Sequence, residues 1–182
     1  MKISKVVVLL VSLFGLQVKA AVDFDQIGRI LRDEVQYSST DKFDVDCGVS
    51  NSDTQSDDQG CKMLMSGQQN QRERAFVKIR QEISGYISGI VGAQDSVSQQ
   101  IENLVSQDAD LSQVEIADLK KSGSLTTLQI SAYANNAKLL NYSLASVKTV
   151  DQKTFNKAVL IKSIVANLYE ESKNLAQSWK KL

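Results

Sequence analysis

Apolar side chains recur every three or four residues in four stretches of the chain, with polar or charged side chains between them. This spacing predicts amphipathic helices, because it places one apolar stripe along each helix. The predicted helices span residues 24–38, 71–106, 125–148 and 153–181. No stretch shows the sustained alternation of a strand, so the pattern predicts an all-α fold.

The apolar positions of the four predicted helices define the expected core. In the first helix they are Phe24, Ile27, Ile30, Leu31 and Val35. In the second they are Phe76, Ile79, Ile83, Tyr86, Ile90, Ala93, Val97, Ile101 and Leu104. In the third they are Ile130, Tyr133, Ala137, Leu140, Leu144 and Val147. In the fourth they are Ala158, Ile161, Val165, Leu168, Leu175, Trp179 and Leu182.

A start signal and a stop signal lie between the second and third predicted helices. Ser112 is followed three residues later by Glu115, the pattern of a capping box. It predicts the start of a short helix over residues 112–121, which the Ser-Gly-Ser sequence at 122–124 is expected to end. We expect this short helix to form part of a cap on the bundle.

The last two predicted helices are separated by a short polar connection. Thr149 and Gln152 fit a second capping box, and Asp151 adds a negative charge that favours a helix N-terminus. A connection this short makes the two helices antiparallel neighbours. The expected architecture is therefore an antiparallel bundle of three long helices with a short helical cap.

The middle of the second predicted helix is unusual, because residues 84–93 carry no charge and include Gly85, Gly89 and Gly92. An interior glycine costs a helix about 1 kcal/mol relative to alanine. Small residues four apart, such as Gly85, Gly89 and Ala93, allow a neighbouring helix to approach closely. We interpret the glycines as close-packing or bending positions. A membrane-active segment is the alternative, but ten residues span about half a bilayer.

The first twenty residues have the pattern of a secretory signal peptide. A lysine-led start precedes an apolar run over residues 6–16, and Val18 and Ala20 place small side chains at the −3 and −1 positions of a cleavage site. The run is shorter than the ~20 residues of a transmembrane helix. We expect removal of residues 1–20 and export of a single helical domain, residues 21–182, to the bacterial periplasm or cell surface. An uncleaved anchor is the alternative.

Removal of the signal changes the net charge of the chain. The signal contains three lysines and no acidic residue, so the 21 basic residues become 18 while the 21 acidic residues remain. The mature chain then has a net charge of −3 and no basic block. Non-specific nucleic-acid binding needs a cationic surface, so no nucleic-acid partner is expected.

Cys47 and Cys61 are the two cysteines of the chain, and an oxidising compartment favours a disulfide between them. They bracket much of a polar, acidic loop predicted over residues 39–60. Closing it would contribute about 3 kcal/mol to stability. A redox dithiol and two intermolecular bonds are the alternatives; redox pairs usually have Cys-x-x-Cys spacing. The acidic residues of the loop lack calcium-loop spacing, so we interpret it as a solvated loop.

Catalytic chemistry is scarce in this sequence. The chain has no histidine, the commonest general base and metal ligand, and it contains no nucleophile elbow or phosphate-binding loop. Glu170 and Glu171 are adjacent and point to different helix faces. Tyr169 and Trp179 fit core or rim positions better than a ligand cage. We therefore predict no enzyme activity, no catalytic residue, no cofactor and no metal site.

The stretch from Lys121 to Leu140, KSGSLTTLQISAYANNAKLL, resembles a helix start in the minor pilins of conjugation-type type IV secretion systems. The signal peptide, residues 21–24 and the long helices are also similar to that family. The resemblance implies an exported, non-catalytic helical protein at a pilus tip. It implies pilin subunits, inner-membrane components of the secretion apparatus and a recipient cell surface as partners.

Two other functions fit the same sequence. One is a periplasmic interaction or exclusion protein without a role in a pilus. The other is a membrane-inserting helical effector that uses residues 83–93, although the length of that segment does not favour membrane contact.

Overall fold

The computed structural model describes residues 22–37, 55–107 and 111–179, with side chains from residue 66 onward in the second range. Over these residues the chain forms α-helices and no strand, which confirms the all-α prediction. The helices are α1 (Phe24–Leu31), α2 (Gln55–Gln107), α3 (Gln113–Ser143) and α4 (Gln152–Ser178). The three long helices, α2, α3 and α4, pack together.

Helices α2 and α4 run in the same direction. At one end of the bundle, the Arg72 guanidinium of α2 donates a hydrogen bond to the carbonyl of Val150, which lies just before α4. Near its other end, the Gln100 amide of α2 donates to the carbonyl of Ala176 on α4, at 3.4 Å. Helices α2 and α4 are therefore parallel.

Helix α3 runs in the opposite direction and packs against both of them. The side chain of Ile101, near the end of α2, lies against Gly123, near the start of α3. The end of α3 connects to α4 at the level of Arg72. The last two helices are thus antiparallel neighbours, as the short connection between them predicts.

The predicted apolar stripes of the long helices form the core of the bundle. Eleven of their positions have no exposed surface: Ile83, Ile90, Val97, Ile130, Ala137, Leu140, Leu144, Ala158, Ile161, Val165 and Leu168. Full burial of a large aliphatic side chain contributes about 1.5–3 kcal/mol. Tyr86, Ala93, Leu104, Val147 and Leu175 are half-buried at the edge of the same core.

Helix α2 is longer than predicted, because it begins at Gln55 rather than at residue 71. The prediction of a loop over residues 39–60 is therefore wrong for residues 55–60, and Cys61 lies in a helix. The added turns carry no apolar stripe, which is why the pattern missed them. They do contain glutamine, lysine, methionine and leucine, which favour helix.

Helix α3 is continuous, so the predicted break at residues 122–124 and the separate cap helix before it are wrong. Gly123 is buried inside the helix against Ile101, where the missing Cβ makes room. The neighbouring Ser124 hydroxyl donates to the carbonyl of Lys120 at 2.9 Å, so the helix itself satisfies this polar group. A sequence that looked like a helix end is instead a point of close helix packing.

The start of α3 is capped as predicted. The Ser112 hydroxyl accepts a hydrogen bond from the Glu115 N–H at 3.3 Å, and the Glu115 carboxylate accepts one from the Ser112 N–H at 2.9 Å. At α4 the cap is Asp151 rather than Thr149, so the second predicted capping box is wrong. Hydrogen bonds from Thr154 lower the pKa of Asp151.

The remaining predicted boundaries differ by a few residues. Helix α1 ends at Leu31 rather than at residue 38, and α3 ends at Ser143 rather than at residue 148. Within α1 the predicted core positions Ile27 and Ile30 are buried, whereas Phe24 is 48% exposed. A helix of only two turns presents a narrow face to α3. On that face the rings of Phe24 and Tyr133 stack, with 6.3 Å between their centroids.

An ionic clasp joins the segment after α1 to the start of α4. Asp33 has a positive φ of 58°, and its carboxylate accepts hydrogen bonds from Lys153 at 2.6 Å and from the Tyr37 hydroxyl at 3.2 Å. The hydrogen bond from Lys153 lowers the pKa of Asp33. Burial, reinforced by Asp33, raises the pKa of Tyr37 to about 12. The clasp fixes the end of α1 on the bundle.

Replacing Asp33 with Asn should remove the charge while keeping a residue type that tolerates positive φ. Because folding lowers the pKa of Asp33, its stabilisation is present above its ordinary value of 3.8 and is lost as the pH falls through the folded value. The pair is solvent-exposed, so we expect the variant to lower Tm by at most about 3 °C at pH 7. Thermal melts at pH 7 and pH 2 test this, since an equal loss at both would contradict an ionic origin.

Candidate protein interaction surface

The predicted chemical groups do not converge on one site. Within the described residues, no three His, Cys, Asp or Glu side chains lie close enough together to hold a metal ion. Trp179 is buried, at 2% exposure, and Glu170 is exposed and pairs with Lys173 at 3.2 Å. Cys47 and the side chain of Cys61 lie outside the described part, so their disulfide stays a prediction.

Among Gly85, Gly89 and Gly92 of α2, Gly89 is the one in close contact with another helix. A Cβ at Gly89 would collide with the ring of Tyr169 on α4. That ring also lies 5.6 Å from the ring of Tyr86, measured between centroids. At Gly85 and Gly92 a Cβ would meet no atom within 4 Å in the described chain, so these two are not close-packing positions within the bundle.

Alanine at the three glycine positions should therefore have opposite effects. Gly89→Ala forces the Tyr169 ring to move, and overpacking of this kind costs about 1–3 kcal/mol. The helix gains about 1 kcal/mol in propensity, so we expect a net loss of up to about 2 kcal/mol. Gly85→Ala and Gly92→Ala are the matched controls and should each stabilise by about 0.5–1 kcal/mol.

Urea denaturation of the three variants measures these changes. Equal stabilisation at all three positions would show that Tyr169 moves without cost and that the Gly89 contact is not a packing constraint.

The most distinctive surface of the molecule lies on α3. Six exposed positions follow one another there at alternating spacings of three and four residues: Leu125, Leu128, Ala132, Asn135, Leu139 and Tyr142. We name these six residues the outer face of α3. Its four large side chains are highly exposed, at 61% for Leu125, 66% for Leu128, 53% for Leu139 and 78% for Tyr142. This spacing forms a continuous stripe typical of a helix–helix seam.

The outer face lies opposite the core face of the same helix. The core face carries Ile130, Tyr133, Ala137 and Leu140, all buried against the bundle. Helix α3 is therefore apolar on two opposite sides, whereas a surface helix normally has one apolar stripe and a polar back. The outer face was not predicted from the sequence, because one apolar stripe is enough to explain a surface helix, and the core stripe of α3 already met that requirement. The outer face is visible in the sequence as a second series of residues at helical spacing in the same helix.

The borders of the outer face are polar but almost uncharged. The residues that flank it are Ser124, Gln129, Ser131, Asn136 and Lys138. Protein interfaces typically have such a composition, with charged residues depleted around an apolar centre. The arrangement can bind an amphipathic helix laid along α3, because the exposed side chains supply the knobs of a coiled-coil seam.

A separate groove of about 440 Å³ lies on the surface between α2 and α3. Its walls include Ile101, Glu102, Val105, Lys120 and Gly123. The groove lies beside the close approach of α2 to α3 at Gly123, and it opens to solvent.

No helix in the described part of the chain is long and apolar enough to cross a membrane. The chain matches no protein-family model, no curated protein and no solved structure.

Proposed function

We propose that this protein is an exported, non-catalytic binding protein whose binding surface is the outer face of α3. The observation that carries the proposal is the row of four large apolar side chains exposed on that face. Leaving such a row in water is unfavourable by about 25 cal/mol per Å² of apolar surface relative to burying it. Exposed apolar surface bordered by polar residues marks interaction sites.

We further propose that the assembly it joins is a type IV secretion or conjugation apparatus, in which it serves as a minor pilin or adhesin-like component. The support is the resemblance of residues 121–140 to minor pilins. This stretch lies on α3 and contains Leu125, Leu128 and Leu139 of the outer face. The partners would be pilin subunits, other components of the apparatus or a recipient cell surface, with no nucleic acid.

Export is part of the proposal. Residues 1–20 are the proposed signal peptide, and Cys47–Cys61 is the proposed disulfide; residues 1–20 and Cys47 lie outside the described part. Mass spectrometry of the exported protein tests both. It should show a chain beginning at Ala21 with a mass about 2 Da below that of the reduced form, because a disulfide loses two hydrogens. Free thiols or an intact leader would contradict these two points.

Deletion of the gene tests the proposed role. We expect loss of pilus formation and of conjugative transfer, and recovery of both on expression of the wild-type chain. The variant Leu128→Glu should not restore them, because it replaces a large apolar side chain of the outer face with a charge. Val77→Glu should restore them, since Val77 is an exposed apolar residue of α2, at 56% exposure, outside that face.

Two results would redirect the functional assignment. Normal transfer and normal pili in the deletion strain would point to another periplasmic interaction or exclusion role. Leakage of liposomes on addition of the wild-type chain, lost in a Gly89→Arg variant, would point to a membrane-inserting effector that uses residues 83–93.

A further inference from the structure

We infer that the outer face of α3 binds the same face of a second copy of this chain, with the two α3 helices antiparallel. The inference rests on the proposed function, in which this face is the binding surface, and it adds the identity and orientation of one partner. Its supports are the spacing of the apolar residues, the distribution of charge and the area that the pairing would bury.

In an antiparallel pair of α3 helices, the spacing of the outer face places each of its side chains opposite a side chain of the partner's outer face. We call each such pair of opposite side chains a layer. When the two-fold axis passes between Tyr133 and Ala134, Leu128 lies opposite the partner's Leu139. The same alignment places Leu125 opposite the partner's Tyr142 and Ala132 opposite the partner's Asn135. Large side chains therefore meet large ones, and small meets small. Because the contact is isologous, each pairing occurs twice in the dimer.

The Asn135 side chains fit the centre of this arrangement. They would lie about 4.5 Å apart along the helix axis, on either side of the two-fold axis. Cα–Cβ bonds tilt toward the N-terminus of a helix, so both amides lean toward the axis and toward each other. A polar residue at one seam position fixes the register of paired helices, because misaligned pairs leave it without a partner.

The charges of α3 favour the antiparallel orientation over the parallel one. Asp118 and Lys121 continue the stripe toward the start of the helix, and both are exposed. A parallel, in-register pair would set each of them against its own copy, which is repulsive. In the antiparallel pair, Lys121 and Asp118 lie beyond the level at which the partner's α3 ends, at Ser143, so neither is set against its own copy. The like-charge contacts are then absent.

The length of the outer face is sufficient for a stable homodimer. The distance from Leu125 to Tyr142 along α3 is about 25 Å at 1.5 Å per residue. Two helices in contact over that length bury on the order of 600–800 Å² per chain, close to the ~800 Å² per partner of a standard specific interface. We therefore expect a reversible dimer, whose association is tested at high protein concentration because buried area alone does not set affinity.

A charge-exchange experiment tests both the pairing and its orientation. Sedimentation equilibrium of the exported protein should give twice the chain mass at about 100 µM. Leu128→Glu and Leu139→Lys should each weaken self-association at least about 10-fold, because each sets a charge against a leucine. Mixed in equal amounts, the two variants should associate again. In the mixed dimer, the Glu introduced at position 128 of one chain then lies opposite the Lys introduced at position 139 of the other. The symmetry-related layer keeps its two native leucines.

Control mixtures distinguish the antiparallel pair from a parallel one. A mixture of Leu128→Glu with Leu128→Lys should not associate; if it associates and the first mixture does not, the helices are parallel and the inference is overturned. Val77→Glu should leave self-association unchanged. Circular dichroism should show equal helix content in all variants, since every changed residue is exposed.

The test separates this inference from the proposed function. A wild-type chain that stays monomeric at about 100 µM overturns the pairing, and loss of transfer with Leu128→Glu would still support the proposed function through another partner. A dimer with the expected exchange behaviour, in a strain whose deletion leaves transfer normal, supports the pairing and overturns the pilin role. A monomer that binds phosphatidylglycerol vesicles through Leu128 also overturns the pairing.

Discussion

Replacing Trp179 with Ala should lower the free energy of unfolding by about 3–5 kcal/mol, the loss typical of removing a large aromatic side chain from a core. Trp179 follows the last turn of α4, and its side chain is only 2% exposed. The bundle cannot close over a space of that size, because the surrounding helices are held along their whole length by other core residues. Urea denaturation followed by far-ultraviolet circular dichroism measures the loss.

Trp179→Phe is the matched control for that prediction. Among the described residues, the buried indole Nε1 of Trp179 has no hydrogen-bond partner. Removing its N–H therefore breaks no bond within that part of the chain, and most of the aromatic contact remains. We expect Phe to cost less than about 2 kcal/mol. Equal losses for Phe and Ala would show that an indole hydrogen bond, rather than buried volume, holds Trp179 in place.

The core of this bundle could be predicted from the sequence because periodicity reports burial directly. Ile83, Ile90 and Val97 recur at seven-residue spacing on one side of α2, and all three are fully buried. Positions that face a neighbouring helix recur about every two turns, so their burial produces a regular apolar pattern in the sequence. For this reason the stripes predicted for all three long helices correspond to the observed core.

The ends of the helices were harder to predict, because their causes are not periodic. The first turns of α2, from Gln55, carry no apolar stripe, and the helix there follows from local propensity. At residues 122–124, two serines and a glycine suggested a stop, although the same residues suit the interior of a helix in close contact with another. Only the position of Ile101 distinguishes these two interpretations.

The outer face of α3 shows a second limit of prediction from a sequence pattern. Two apolar series share that helix: one passes through Ile130 and Ala137, and the other through Leu128 and Leu139. Sequence alone does not tell which of two stripes meets the core, because both have helical spacing. Once the bundle is known, the leftover series becomes the strongest indication of a partner.

Replacing Gly123 with Ala should destabilise the bundle, because the new methyl group would collide with the side chain of Ile101, its Cδ1 atom above all. Overpacking of a core costs about 1–3 kcal/mol, and the higher helix propensity of alanine returns up to about 1 kcal/mol. We expect a net loss of about 1–2 kcal/mol in urea denaturation. Gly85→Ala is the matched control, since it adds the same methyl group into open space and should stabilise.

The contact between Gly123 and Ile101 can be tested by a double-mutant cycle, since Ile101→Val removes the same Cδ1 atom. Alone, Ile101→Val should cost about 0.5–1.5 kcal/mol, because it leaves a small cavity between α2 and α3. Combined with Gly123→Ala, the added methyl group fills that space, so the double variant should be more stable than the sum of the single losses by at least about 1 kcal/mol. Additive losses would mean that Gly123 is required for a reason other than Ile101, and a different neighbour would then have to hold α3 continuous at this point.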